Sequence, residues 1–364
     1  MNKIIYNILK TFEDNDYEAY LIGGYVRNYL MNKNKEVFDI DICTDATPKE
    51  MIELFSEYDI KTLEYGNVMF YINDYKFEIT TFRKEIKYKN NRKPIEIVYI
   101  DNLEEDLKRR DFTINSICMD KDKNIIDKEN GRKDLKKRLI RSIGDPYQKL
   151  EEDSLRILRA IRFATTLKFR LDQKLKQAII KNKELLKNLS YERKKDELTK
   201  IFASDNKKLG VKLLKELDLL EALELKNIDN VLLTKDLIAM WSTITDSYPL
   251  TKTEKSLKEN INNILKEDLR DNTVLYKYGL YPLMVACDLK KLNKKKMNTR
   301  YEKLPIRDRN EINITTNEIC ELLDKEPSSY LKDIYNDLEY KILKRELIND
   351  KNKIKEYIKT NYML

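Results

Sequence analysis

The chain has 364 residues, 71 Lys+Arg against 63 Asp+Glu, four cysteines and no histidine. A chain without histidine has no Ser-His or Cys-His triad and no imidazole-held metal, so carboxylates holding a divalent cation are its natural route to chemistry. Cys43, Cys118, Cys287 and Cys320 lack Cys-x-x-Cys spacing and read as reduced thiols of a cytoplasmic protein. No apolar run nears membrane-spanning length, and the length predicts two or more domains.

The opening MNKIIYNILKTFEDND turns acidic after a short apolar stretch and has no cleavage site, so it reads as an ordinary helix. Ala19 to Ile22 is a short buried strand, and Tyr25 to Met31 continues as an amphipathic helical turn or two. Between them, Gly23 and Gly24 suit a strand-to-helix junction where backbone approaches a phosphate, with Arg27 in the first turn able to fork onto it. Neither a Walker loop nor a dinucleotide fingerprint is present.

Phe38 to Cys43 is a strand that alternates strictly over Phe38 to Ile42, so Asp39 and Asp41 share one face while Phe38, Ile40 and Ile42 are expected to be buried on the other. Two same-side carboxylates repel unless a cation sits between them, and Mg²⁺ is commonly held by one or two carboxylates plus substrate phosphates. A two-metal site would activate an attacking hydroxyl and hold a triphosphate leaving group. The plain alternative is a solvated acidic strand edge. Val68 to Ile72, Lys76 to Thr81 and Ile95 to Tyr99 are further strands, and Glu78 is a third acid that could lie near the metals. Arg83 to Ile97 is basic and poorly periodic and is expected to be a mobile loop.

In RRDFTIN, 109–115, Arg110 could hold phosphate and Asp111 could accept from a ribose 2′-hydroxyl; Asn115 closes the motif. The acids of 103–106 pairing those arginines is the bland alternative. After Gly144-Asp145-Pro146, EEDSLRILRAIRFA places Asp153, Arg156, Arg159 and Arg162 every third residue, on one side of a helix. An acid with arginines matches cytosine and adenine, which both offer an exocyclic amine beside a ring nitrogen. Guanine and uracil would set a carbonyl against the carboxylate, an unpaired contact costing about 1–3 kcal/mol. A basic, solvated helix face is the competing reading.

These segments in order, Gly23-Gly24-Tyr25-Val26-Arg27, Asp39-Ile40-Asp41, Arg109 to Ser116 and Glu152 to Phe163, resemble the polymerase-β-like nucleotidyltransferases. Within them the chain resembles the class II CCA-adding tRNA nucleotidyltransferases of the poly(A) polymerase-like family, nearly end to end. The resemblance implies an α+β fold: a head with a mixed or antiparallel sheet, followed by an all-helical C-terminal arm. It implies CTP and ATP as substrates, tRNA as partner, Mg²⁺ as cofactor, and Asp153 with Arg156 as the pair that reads the base. It also implies a loop function for Arg92, where Asn91 stands in place of the family's acidic residue. An A-adding enzyme or bacterial poly(A) polymerase would share the head motifs. A catalytically silent RNA-binding protein on the same fold is disfavoured because both aspartates are intact.

Four parts are expected: a head over 1–143, a neck over 144–206, a body over 207–290 and a tRNA-binding tail over 291–364. Residues 1–143 carry 26 Lys+Arg against 27 Asp+Glu, and the remaining 221 carry 45 against 36. The basic excess therefore lies outside the head, where an RNA backbone would be gripped. A lysine-rich composition bias is the plainer source.

Overall fold

The structure, a computed structural model, describes residues 2–32, 38–89 and 93–363. It divides into two compact units, 1–228 and 229–364. In the first, α1 (Lys3–Glu13) is started by the Asn2 side chain, which accepts from the Ile4 amide, and it buries Ile5, Ile8, Leu9 and Phe12. That spacing is one helical face. The mixed α/β part follows as β1 (Ala19–Ile22), α2 (Gly24–Leu30), β2 (Asp39–Thr44), α3 (Pro48–Leu54), β3 (Lys61–Thr62), β4 (Asn67–Ile72) and β5 (Tyr75–Thr81). Then come β6 (Arg83–Lys89), β7 (Lys93–Tyr99), α4 (Leu103–Lys108), β8 (Cys118–Met119), β9 (Ile125–Ile126), α5 (Gly131–Lys137) and β10 (Leu139–Ile140).

Among the described residues seven strands form one sheet in the order β3-β4-β5-β2-β1-β8-β9. Only β2 and β5 run parallel within it; every other neighbouring pair is antiparallel. One face is sealed by a core that includes Ile40, Ile42, Phe70, Phe77 and Ile79 with Phe12 and Phe55 from the helices. The polar residues of β2 and β5 are left on the other face.

Two expectations change here. Phe38 precedes the strand and is 45% exposed, resting against the Tyr75 ring at 5.6 Å instead of entering the core. The stretch from Arg83 onward is not a loop throughout: β6 and β7 pair as a separate antiparallel ribbon with register shifts at Glu85–Lys87 and Lys87–Tyr88. The ribbon lies outside the main sheet, and Ile86, Val98 and Tyr99 on it are all exposed, so the density of basic residues over this stretch read as loop. Arg92 lies outside the described residues.

The first unit continues through α6 (Pro146–Glu152), α7 (Leu155–Leu167), β11 (Arg170–Leu171), α8 (Gln173–Asn182), α9 (Tyr191–Phe202) and α10 (Lys207–Glu216). The expected all-helical run is therefore interrupted, because β11 returns to pair in parallel with β10. The second unit is helical: α11 (Leu237–Ile244), α12 (Lys252–Ile264), α13 (Asn272–Tyr278), α14 (Leu280–Leu289), α15 (Lys294–Glu302), α16 (Thr316–Leu323), α17 (Tyr330–Leu343) and α18 (Lys351–Tyr362). Its core gathers Leu275, Leu283, Ile306, Ile319, Leu338, Ile354 and Ile358. Among the described residues no helix is long and apolar enough to cross a membrane.

Candidate active site

A cavity of about 880 Å³ opens in the first unit, walled by β1, β2, β5, the RRDFTIN segment and α7. Its acidic side is set by strand register. Ile22 lies opposite Asp41 on β1, and Asp41 lies beside Glu78 on parallel β5, so Asp41 and Glu78 enter the cavity from neighbouring strands. Asp39 shares the Asp41 face at the exposed start of β2, outside the cavity wall. Desolvation, then the Glu78 carboxylate, push Asp41 up to about 6, with Asp39 adding to the repulsion and Arg110 and Lys76 opposing it. Glu78 takes long contacts of 3.5 Å from Asn67 and Lys76. Asp39 and Asp41 make no side-chain hydrogen bond or ion pair among the described residues.

Crowded carboxylates without a cation are donors that suit a hard divalent ion. No group of three or more acidic or cysteine side chains is disposed to hold a metal among the described residues.

Gly23 determines how closely the turn approaches this edge. It has φ +74°, and a Cβ there would lie 2.8 Å from Asp41 Oδ2. Gly24 opens α2, which carries Arg27 into the cavity. Arg27 donates to Asn115 Oδ1 at 2.7 Å and to Asn28 Oδ1 at 3.3 Å, while its buried Nε has no partner. Burial, then the neighbouring Arg162, lower its pKa to about 10.

The RRDFTIN residues are heavily paired. Asp106, fully buried on α4, receives Arg109 at 2.8 Å and Arg110 at 3.0 Å, so the acids ahead of the motif do hold its arginines. Arg110 still lines the cavity. Asp111 is bound by Arg159 Nη2 at 2.5 Å, the Phe112 amide at 2.7 Å and Asn115 Nδ2 at 3.2 Å. Burial alone would raise the Asp111 carboxyl, but Arg159 and these hydrogen bonds hold it below the usual carboxylate range.

The presumed single helix from Asp153 to Arg162 is broken. α6 ends at Glu152, Asp153 is extended at φ −142°, and α7 begins at Leu155. The cause is local: Asp153 Oδ1 accepts the Leu155 amide at 3.0 Å, a side-chain bond that competes with helix continuation. Asp153, Arg156, Arg159 and Arg162 nevertheless all reach the cavity. Arg156 is braced by the carbonyls of Lys149 and Arg109, at 2.9 and 2.8 Å, and by Glu152 at 3.2 Å. Arg162 is paired with Glu197 of α9 at 2.6 Å.

Several wall residues had no role in the sequence reading, among them Phe163, Arg83 and Glu85. Phe163 is approached by three guanidinium groups, and Arg83 and Glu85 at the ribbon base join the cavity wall. The motif spanning Glu152 to Phe163 ends on the first without giving it a role.

Comparison with known proteins places the chain among nucleotidyltransferases. Residues 19–141 match the "Poly A polymerase head domain" family, 168–228 match "Probable RNA and SrmB- binding site of polymerase A", and 250–358 match "tRNA nucleotidyltransferase domain 2". The CCA-adding enzyme of Ligilactobacillus salivarius is 32% identical over 94% of this chain and 93% of its own length; that of Anoxybacillus flavithermus is 31% identical over 98% and 96%. The Lactobacillus helveticus enzyme reaches 45%, over 53% of this chain and 48% of its own. Among solved structures, the Bacillus stearothermophilus CCA-adding enzyme in complex with CTP superposes with TM-score 0.74 at 25% identity, covering 99% and 98% of the two chains. The Thermotoga maritima enzyme complexed with tRNA shares the fold, with TM-score 0.74 at 19% identity over 99% and 96%.

Proposed function

The chain belongs to the CCA-adding enzyme family, and from that premise we propose that its first-unit cavity adds C, C and then A to the tRNA 3′ end. CTP and ATP supply the nucleotides without a nucleic-acid template, and pyrophosphate leaves. The observation that carries this reading is the pairing of a crowded acidic strand edge with an arginine-lined wall in one cavity.

Asp39 and Asp41 would hold Mg²⁺, with Glu78 close by. When bound, the ion supplies Lewis-acid stabilisation at the reacting phosphate. The rest is done by side chains and backbone. Gly23 and Gly24 let the chain pass close to the triphosphate, and Arg27 and Arg110 hold its charge. The tRNA 3′-hydroxyl is set against the α-phosphate, so that the new ester bond forms as the bond to the β-phosphate breaks.

Base choice falls to Asp153 and Arg156. Arg156 has five N–H groups, of which its bonds to Lys149, Glu152 and Arg109 use three, leaving Nε–H and one Nη2–H for a ring nitrogen. Asp153 accepts the exocyclic amine of C or A. Asp111 takes the ribose 2′-hydroxyl when Arg159 turns toward phosphate. Asn115 holds Arg27 in place, and Arg162, paired with Glu197, joins Arg159 as a nucleotide-binding arginine. Arg92, by its resemblance, serves the loop that lets the pocket change from C to A.

We assign the head to 1–143, the neck to 144–206, the body to 207–290 and tRNA grip to the tail over 291–364, supported by the basic excess beyond 143. The reaction belongs in the cytoplasm. The direct test offers tRNAs ending before CCA, after C and after CC, with labelled CTP or ATP. Ordered addition of C, C and A is expected; addition of A alone would make the protein an A-adding enzyme, and no incorporation would remove the reading.

A further inference from the structure

The Phe163 ring is ringed by cations. Arg162 Cζ lies 4.0 Å from its centroid, Arg27 Cζ 5.3 Å and Arg159 Cζ 5.5 Å. The ring is 6% exposed, lines the cavity, and is fixed edge-on by Phe112 at 5.8 Å and 82°. Three guanidinium groups around one side chain repel one another, so something must hold them together. Two are neutralised: Arg159 by Asp111 and Arg162 by Glu197. Arg27 has only amide oxygens, and its buried Nε is unsatisfied. One guanidinium of the cluster therefore has no carboxylate bound to it beside the Gly23 turn, Asp111 and Asp41 acting on it only at longer range. An aromatic face attracts cations through its quadrupole without neutralising them. It can gather arginines while leaving their charge available, which a carboxylate cannot do.

We propose that Phe163 is a positioning residue: its ring gathers Arg27, Arg159 and Arg162 into a cradle for the polyphosphate of the incoming nucleotide, with Arg27 as the guanidinium that no carboxylate binds. The proposal rests on the nucleotidyl-transfer reading but is testable apart from it, because polyphosphate binding requires no turnover. A leucine at this place would fill the apolar volume yet offer no quadrupole. The arginines would then spread, and a triphosphate would lose the convergence of donors more than a monophosphate would.

The experiment measures equilibrium binding of CTP, CMP, inorganic triphosphate and tRNA to the full chain, for wild type, Phe163→Leu, Phe163→Met and Phe163→Tyr. Circular dichroism melts establish which variants are folded, and methionine stands in if leucine does not fold. Expected is a roughly tenfold loss for CTP and inorganic triphosphate in the leucine and methionine variants, with CMP and tRNA within twofold of wild type. Phe163→Tyr, which keeps the ring, should restore triphosphate binding to within about threefold. Wild-type triphosphate binding in the leucine or methionine variant overturns the proposal. So does an equal loss in the tyrosine variant, which would make the effect one of fit, or an equal loss of CMP, which would place Phe163 under the base. Loss of tRNA alone would give the cradle to the RNA backbone and also overturn it. Failure of the wild type to extend tRNA would sink the CCA reading while leaving the triphosphate comparison intact.

Discussion

At Gly23 the backbone takes φ +74° and ψ −131°, and a methyl group would press on Asp41 Oδ2 at 2.8 Å. Gly23→Ala should cost about 1–3 kcal/mol of stability through backbone strain. It should also displace the carboxylate, so incorporation of both nucleotides should fall together; denaturant melts and single-turnover assays check the two effects. Asp153 has two jobs that substitution can separate. Asp153→Ala loses the bond to the Leu155 amide, worth about 1 kcal/mol, and also admits UTP. Asp153→Ser can keep that bond and should admit UTP all the same; strict CTP and ATP selection in the serine variant would reduce Asp153 to a helix-start residue. Asp106 provides the pH prediction. Its burial would raise the carboxyl, but Arg110 and Arg109 overcome that and hold it below 3.8. A carboxyl lowered on folding stabilises fully above its unfolded pKa and stops doing so as pH falls through the folded value. Asp106→Asn should therefore destabilise by about 3–5 kcal/mol at pH 7, with the gap to wild type closing only below about pH 4. A gap that persists unchanged at pH 2.5 would mean the loss is one of packing. The glycines, Asp41 and the arginines were legible because spacing alone fixes their face. Phe163 was not, since an aromatic at the end of an apolar helix face looks like core until the cations around it are placed.

Among the elements, the β6–β7 ribbon is joined to the site at its base. Arg83 binds Glu85 at 2.9 Å, Asn67 at 3.0 Å and, through its amide, Asp106 at 3.1 Å, and Arg109 reaches Glu85 at 3.6 Å. Arg109 in turn offers its carbonyl to Arg156. Deleting Lys87 to Lys93 shortens the far end and leaves this base in place. CC addition should persist while A addition falls at least about tenfold, since closure around the second substrate is the step such a segment serves. Extension assays on tRNA ending before CCA and after CC decide it: an equal fall for both nucleotides would make the ribbon a brace. Of the ribbon, the sequence reading found Ile95 to Tyr99 within β7 but took β6 for loop. The α6–α7 break escaped it because three-residue spacing continues through Asp153 whether or not the helix does.

For the whole molecule, the charge division is the feature that sequence gives without structure. With the basic excess beyond residue 143, tRNA binding should depend steeply on salt. If the RNA displaces counterions from six or more phosphates, affinity should drop about a thousandfold between 50 and 200 mM salt. Filter binding across that range tests it, and a nearly flat response would return the lysines to composition bias. The mixed sheet followed by helices was readable from strand spacing and glycine placement. The division at Ile228 was not: it falls at a buried residue in LKNIDNVLLTK, without glycine or proline, and follows from how apolar surfaces are shared between helices far apart in sequence.

The discontinuity at Asp153 has a mechanical consequence. A carboxylate in mid-helix is largely denied the χ1 rotamer that would run into the preceding turn. Asp153 instead occupies an extended residue between two helices, where its side-chain torsions can swing the carboxylate without moving either helix. A pyrimidine and a purine set their amines at different depths. A reader carried on such a joint can follow that difference by rotation alone, leaving the arginines of α7 and the acids of β2 where they are.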